Sequence, residues 1–167
     1  LMHRFDQAWS SPYRHTLKRE AVFEGVGIHS GAITRVVLRP ANEPCGFVIN
    51  QRPLREWRLS SSSWATCLAH ADLGIQLSTI EHLFAALYGA GIDDAKIDLI
   101  PVQSPGSPTI YPPVAYDRAI VEAPILDGSA LDYLIEIEPV LTCDATYDRD
   151  FQFLPQLEIQ DDQALLI

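Results

Sequence analysis

A chain of 167 residues that is 47% apolar and carries a formal charge of −10 can bury a real core, and its acidity argues against nucleic acid as a partner. No run approaches the roughly 18 apolar residues of a membrane span, and the first dozen residues lack an apolar signal core, so a cytoplasmic location is expected. Cys45, Cys67 and Cys143 form neither a CxxC pair nor a disulfide framework, which fits reduced thiols.

The charge is unevenly spread. Residues 1–60 hold nine basic against five acidic side chains, whereas residues 61–167 hold three against seventeen. Arg35, Arg39, Arg52, Arg55 and Arg58 are therefore either solvated strand and loop positions or a meeting place for an anionic ligand. The chain opens on Leu1 and stops in the apolar run Leu165-Leu166-Ile167, the expectation being a fragment or a truncated reading frame.

Residues 17–28 alternate as a strand, with Ala21 and Phe23 on one side and Val22 and Glu24 on the other. After a turn crowded by Gly25, Gly27 and Gly31, a second strand runs from Ile33 to Arg39 and a third from Gly46 to Ile49, together predicting an antiparallel meander. A strand after Gly25-Val26-Gly27 also excludes a dinucleotide fingerprint, which requires a helix there. Residues 51–77 give weaker signals, with a short strand expected near Trp64–Leu68. A helix follows from about Thr79 to Gly89, then a strand over Ala95–Ile100. Five prolines within residues 101–113 predict a surface loop. Asp127 or Ser129 is placed to cap a short helix running to about Glu136, and a new region begins after Pro139, with possible strands near Phe151–Leu154 and Leu157–Ile159.

The chemistry gathers at Glu81-His82. On a helical wheel Ile80, Leu83, Phe84 and Leu87 form the core stripe, while Glu81 and His82 fall off it beside Ala85, Ala86 and Gly89. Such small neighbours let a backbone or a ligand come close. Two bland readings compete: Ser78-Thr79-Ile80-Glu81 is also a capping box, and His82 could be a hydrogen-bonded interior histidine. His29, in the glycine turn, and Cys67, a soft donor or a small buried hydrophobe, are the other candidates near such a site. All five histidines lie in the first half, so nothing later supplies a second imidazole to a metal.

Five segments occur in order: Phe23-Glu24-Gly25-Val26-Gly27-Ile28-His29-Ser30-Gly31, Leu38-Arg39-Pro40-Ala41, Thr66-Cys67-Leu68, Ser78-Thr79-Ile80-Glu81-His82-Leu83, and Ala123-Pro124-Ile125-Leu126-Asp127-Gly128-Ser129-Ala130. Together they resemble the UDP-3-O-acyl-N-acetylglucosamine deacetylase family, zinc-dependent hydrolases of lipid A biosynthesis. The resemblance implies an α+β fold of two similar domains, each a β-sheet layered on helices, with the active site between them. On it, residues 13–138 form the first domain, with a proline-rich insertion near 101–121, and residues 139–167 begin an incomplete second domain.

The resemblance also assigns roles. Glu81 becomes the general base and His82 a Zn2+ ligand, with His29 and Cys67 near the metal. The substrate becomes a UDP-linked, acylated glucosamine. The family's remaining zinc ligands, from a His-x-x-x-Asp helix, and its proposed general acid belong to the second domain, and the sequence contains neither. The chain alone is therefore expected to be inactive. It pairs with a second-domain chain, serves as a non-catalytic interaction module, or is a decayed product.

Overall fold

Strands outnumber helices because apolar residues alternate with polar ones in segments such as Ala21–Val26 and Ala95–Pro101. The computed structural model describes residues 8, 10–102 and 119–142, together with the backbone of 160–161 and 164–165. In chain order the first elements are β1 (His15–Leu17), β2 (Ala21–Val26), β3 (Ile33–Arg39), β4 (Phe47–Ile49) and β5 (Arg52–Pro53). A 3-10 turn over Leu54–Glu56 leads to β6 (Arg58–Ser61), β7 (Cys67–His70) and β8 (Ile75–Ser78). Helix α1 (Glu81–Gly89), β9 (Ala95–Pro101), β10 (Ala119–Glu122), α2 (Leu131–Glu136) and β11 (Pro139–Leu141) follow. A last antiparallel pair joins β12 (Gln160–Asp161) to β13 (Ala164–Leu165). Mixed sheets with few helices make this an α+β fold.

Two sheets carry the core. The first has the order β2-β3-β9-β4-β5 and the second β10-β8-β7-β6. On the first sheet Ala21, Phe23, Val36, Leu38, Ala95, Ile97 and Leu99 are buried and join Leu83, Ala86 and Leu87 of α1 and Tyr133 of α2 in one core. The opposite face carries ion pairs, Arg35 with Glu24 at 2.7 Å and Arg39 with both Glu20 and Asp98. Burying one large aliphatic side chain stabilises by roughly 1.5–3 kcal/mol, against about 0–1 kcal/mol for an exposed ion pair. The apolar face therefore sets the register. Arg35 and Arg39, with Arg52 placed 3.9 Å from Glu56, take the solvated reading of the basic residues.

The expected meander is corrected. β3 pairs antiparallel with β9, and β4 lies on the far side of β9 and parallel to it. Sequence neighbours β3 and β4 are thus separated by a strand that arrives some fifty residues later, a long-range pairing that local alternation does not encode. The single strand over 17–28 is two, because Lys18–Glu20 bend the chain so that β1 pairs with β11 instead of joining the large sheet. The strand near Trp64 begins later, at Cys67.

Pro101, placed in a loop by its composition, ends β9 opposite Thr34. Val102 donates its N–H to Ile33, so the neighbouring Pro101 nitrogen faces away from β3, beyond the end of β4, where no ladder bond is lost. Ala119–Val121, at the far end of the expected insertion at 101–121, belong to β10, parallel to β8. Residues 103–118 and the expected strands at 151–154 and 157–159 lie outside the described residues. No helix among the described residues is long and apolar enough to cross a membrane.

Asp94, fully buried, fastens the end of the fold remote from α1's first turn. It accepts from Arg14 Nε and Nη2 at 2.9 and 2.7 Å, from the Cys45 and Gly46 amides at 2.8 and 2.7 Å, and from Thr142 Oγ1 at 2.8 Å. Burial alone would raise its pKa, but these bonds outweigh it and hold the carboxyl below the ordinary aspartate value. A depressed folded pKa contributes stability above the unfolded value that is lost as pH falls through the folded one. Asp94→Asn is expected to cost about 3 kcal/mol at pH 7 and to flatten the loss of stability below about pH 4. Urea unfolding across pH 3–7 checks this, and equal slopes for variant and parent would refute it.

Candidate active site

Helix α1 starts where its sequence says the capping box should already be one turn old. Ile80 precedes the first helical residue, Glu81, and no side chain caps it. The box fails because Thr79 has φ 56°, a left-handed conformation that turns the chain sharply after β8. Ser78 is consequently the last residue of a strand, its Oγ 3.4 Å from both Cys67 Sγ and Thr79 Oγ1.

Glu81, freed from capping, turns to Thr66, whose amide donates to its Oε2 at 3.0 Å. Its Oε1 makes no hydrogen bond among the described residues, and neither does the half-buried His82 ring. Among the described residues, no hydrogen bond supports the interior-histidine reading of His82. Ala86 is corrected, since it packs into the core, while Ala85 and Gly89 stay exposed beside His82. The half-buried acid thus stands in the first turn of α1, where the helix dipole favours its anion.

The other two candidates are connected to this turn through polar bonds. Cys67 is buried and its Sγ meets Ala65 O at 3.6 Å as well as Ser78 Oγ. His29 is exposed, and its tie to the site is its backbone amide, which donates to Glu122 Oε1 and Oε2 at 3.1 and 3.2 Å.

Glu122 is not among the candidates named from the sequence. This 2% exposed carboxylate also accepts from the Ser30 amide at 2.7 Å and from Thr79 Oγ1 at 2.7 Å. Burial pushes its pKa up, but the bonds from Ser30, Thr79 and His29 prevail and hold it below the ordinary glutamate range. One clue existed: an acid in the last place of an apolar strand run, Ala119-Ile120-Val121-Glu122, requires partners when buried.

Asp127 is exposed, and its carboxyl lies below the usual aspartate value, first through the Ser129 amide and hydroxyl, with nearby His82 a smaller influence. It shapes its own turn by accepting from Ser129 N at 2.8 Å. Ser129 Oγ in turn accepts from Leu131 N at 3.0 Å at the start of α2, so Ser129 serves the helix start while Asp127 does not.

The first turn of α1 thus holds a carboxylate bonded through one oxygen beside an imidazole with no hydrogen bond among the described residues. The family model described as UDP-3-O-acyl N-acetylglycosamine deacetylase (LpxC) matches residues 14–166. Proteins named UDP-3-O-acyl-N-acetylglucosamine deacetylase are similar to this chain. That of Phenylobacterium zucineum is 35% identical over 130 residues, covering 73% of this chain and 38% of the relative. That of Geobacter sp. strain M21 is 32% identical over 153 residues, covering 86% and 48%. The chain therefore belongs to the UDP-3-O-acyl-N-acetylglucosamine deacetylase family, and it spans less than half the length of these two relatives.

Glycine is required at position 27 by close approach. A Cβ there would overlap Glu122 Oε2 and Ser30 Oγ, and the carboxylate cannot swing away without breaking its hydrogen bonds. Gly27→Ala is expected to destabilise by about 1–3 kcal/mol. A denaturant midpoint equal to that of the parent would show that Glu122 yields freely.

Proposed function

We propose that this chain carries the acid–imidazole half of a site that hydrolyses the acetamide of UDP-3-O-acyl-N-acetylglucosamine, in lipid A biosynthesis. The observation that supports it most is the state of Glu81, pinned through Oε2 to Thr66 and open at Oε1. Amide hydrolysis needs a water relieved of its proton and a polarised carbonyl. A carboxylate held rigidly by one oxygen is suited to accept that proton at the other.

His82, next along the helix and without a hydrogen bond among the described residues, is the zinc ligand of this proposal. Zinc, when bound, supplies an acidified water and a Lewis acid for the carbonyl oxygen. Hydrolytic zinc sites take about three protein ligands, and among the described residues no three His, Cys, Asp or Glu side chains come together to hold a metal. The described residues alone do not make the cage. In this proposal the remaining ligands come from a second domain or a separate second-domain chain, and the 167-residue chain by itself is inactive. The same shortage favours a second reading, an interaction module without turnover.

The test adds a downstream half taken from a longer relative. Joined to the downstream half of the Geobacter relative, the chain is expected to bind zinc and deacetylate. Glu81→Ala then lowers kcat by at least about 100-fold with an unchanged circular dichroism spectrum, and His82→Ala lowers the zinc content. Undiminished turnover in Glu81→Ala would reduce Glu81 to a structural partner of Thr66. No zinc uptake by the joined protein would favour the module.

A further inference from the structure

We infer that Glu122 is a positioning residue for the Glu81–His82 pair, acting through the bend at Thr79 from which α1 departs. The inference rests on the hydrolase reading above and adds a residue to it. Thr79 is β-branched, buried and left-handed at φ 56°, a conformation such side chains avoid, so its surroundings must hold it there. The holding group is Glu122, whose Oε1 accepts from Thr79 Oγ1 at 2.7 Å.

Glu122 is itself fixed from two further directions. The Ser30 and His29 amides of the glycine turn donate to it, and its own strand pairs with β8 so that Glu122 lies opposite Ser78. The Ala123 amide closes that register by donating to Ser78 O at 2.9 Å.

Beyond the bend, residues 80 and 81 both bond to Thr66. The Ile80 amide donates to Thr66 O at 3.4 Å, and Glu81 Oε2 accepts from the Thr66 amide at 3.0 Å. Releasing Thr79 therefore shifts the carboxylate and the imidazole together. A buried carboxylate serving stability alone would have no reason to act selectively on Thr66.

Amide hydrogen exchange on the 167-residue chain tests this. Glu122→Gln removes the charge; Thr79→Val, the milder variant, keeps the branched shape and loses the hydroxyl that donates to Glu122 and lies 3.4 Å from Ser78 Oγ. In both, exchange at Thr66 is expected to quicken about tenfold while the β9 core amides stay at parental rates. Adding Thr79→Gly to Glu122→Gln should restore most of the protection, because glycine adopts the left-handed bend without strain. In the joined protein, Thr79→Val lowers kcat about tenfold with KM unchanged.

Uniform acceleration at all amides, no change at Thr66, or an unaltered kcat would each overturn the assignment. The exchange result needs no turnover. Failure of the hydrolase reading, seen as an active Glu81→Ala variant, is thus told apart from failure of the positioning role.

Discussion

The buried anion at Glu122 is the constraint on which the site depends. Three segments far apart in sequence, the glycine turn, the bend before α1 and the end of β10, meet at one carboxylate. An isolated charge at 2% exposure would cost several kcal/mol, so the arrangement is stable only with its donors in place. That makes it cooperative. Losing one donor leaves the rest of the cluster holding a partly unsatisfied ion, so the glycine turn and the helix start are tied through the same carboxylate.

Asp94 applies the same physics at the other end of the fold. It gathers Arg14 before β1, the amides leading into β4, and Thr142 after β11. Between the two anions lies the apolar core, with Val36, Leu38, Ile97, Leu77 and Leu83 almost wholly out of water. Apolar contact gives the layers their cohesion but is non-directional. The carboxylates are directional, and they fix which loop meets which helix end. Strand β1 gains its place in this way: short and off the main sheet, it is held by β11, by the Arg14–Asp94 pair, and by Asp93, which accepts the His15 amide at 2.8 Å.

Period-two alternation made β2, β3 and β9 legible, and the apolar stripe made α1 legible, because one face of each is buried and the other is wet. What alternation cannot convey is which strand comes to lie beside which, and so the insertion of β9 between β3 and β4 was missed. The pair Glu81-His82 was readable as a motif; its freedom from the capping box was not. That freedom comes from the dihedral angle of Thr79, set by Glu122 forty-three residues later. Local sequence proposed Ser78 as the cap, and a distant buried acid overruled it.

The open side of α1 carries the consequence for chemistry. His82, Ala85 and Gly89 follow one another at helical spacing, the last two exposed, and a Cβ built at Gly89 would touch nothing within 4 Å. Tyr88 beside them is 71% exposed, and Leu131 and Ile135 of α2 are exposed as well. A solvated helix face of this length would carry lysine or glutamate. This one carries small and apolar residues next to an imidazole that has no hydrogen bond among the described residues. The acid, by contrast, is anchored from behind by Thr66. The anchoring bond thus lies on the Thr66 side of the helix, while Ala85 and Gly89 leave the face beside His82 with only small side chains.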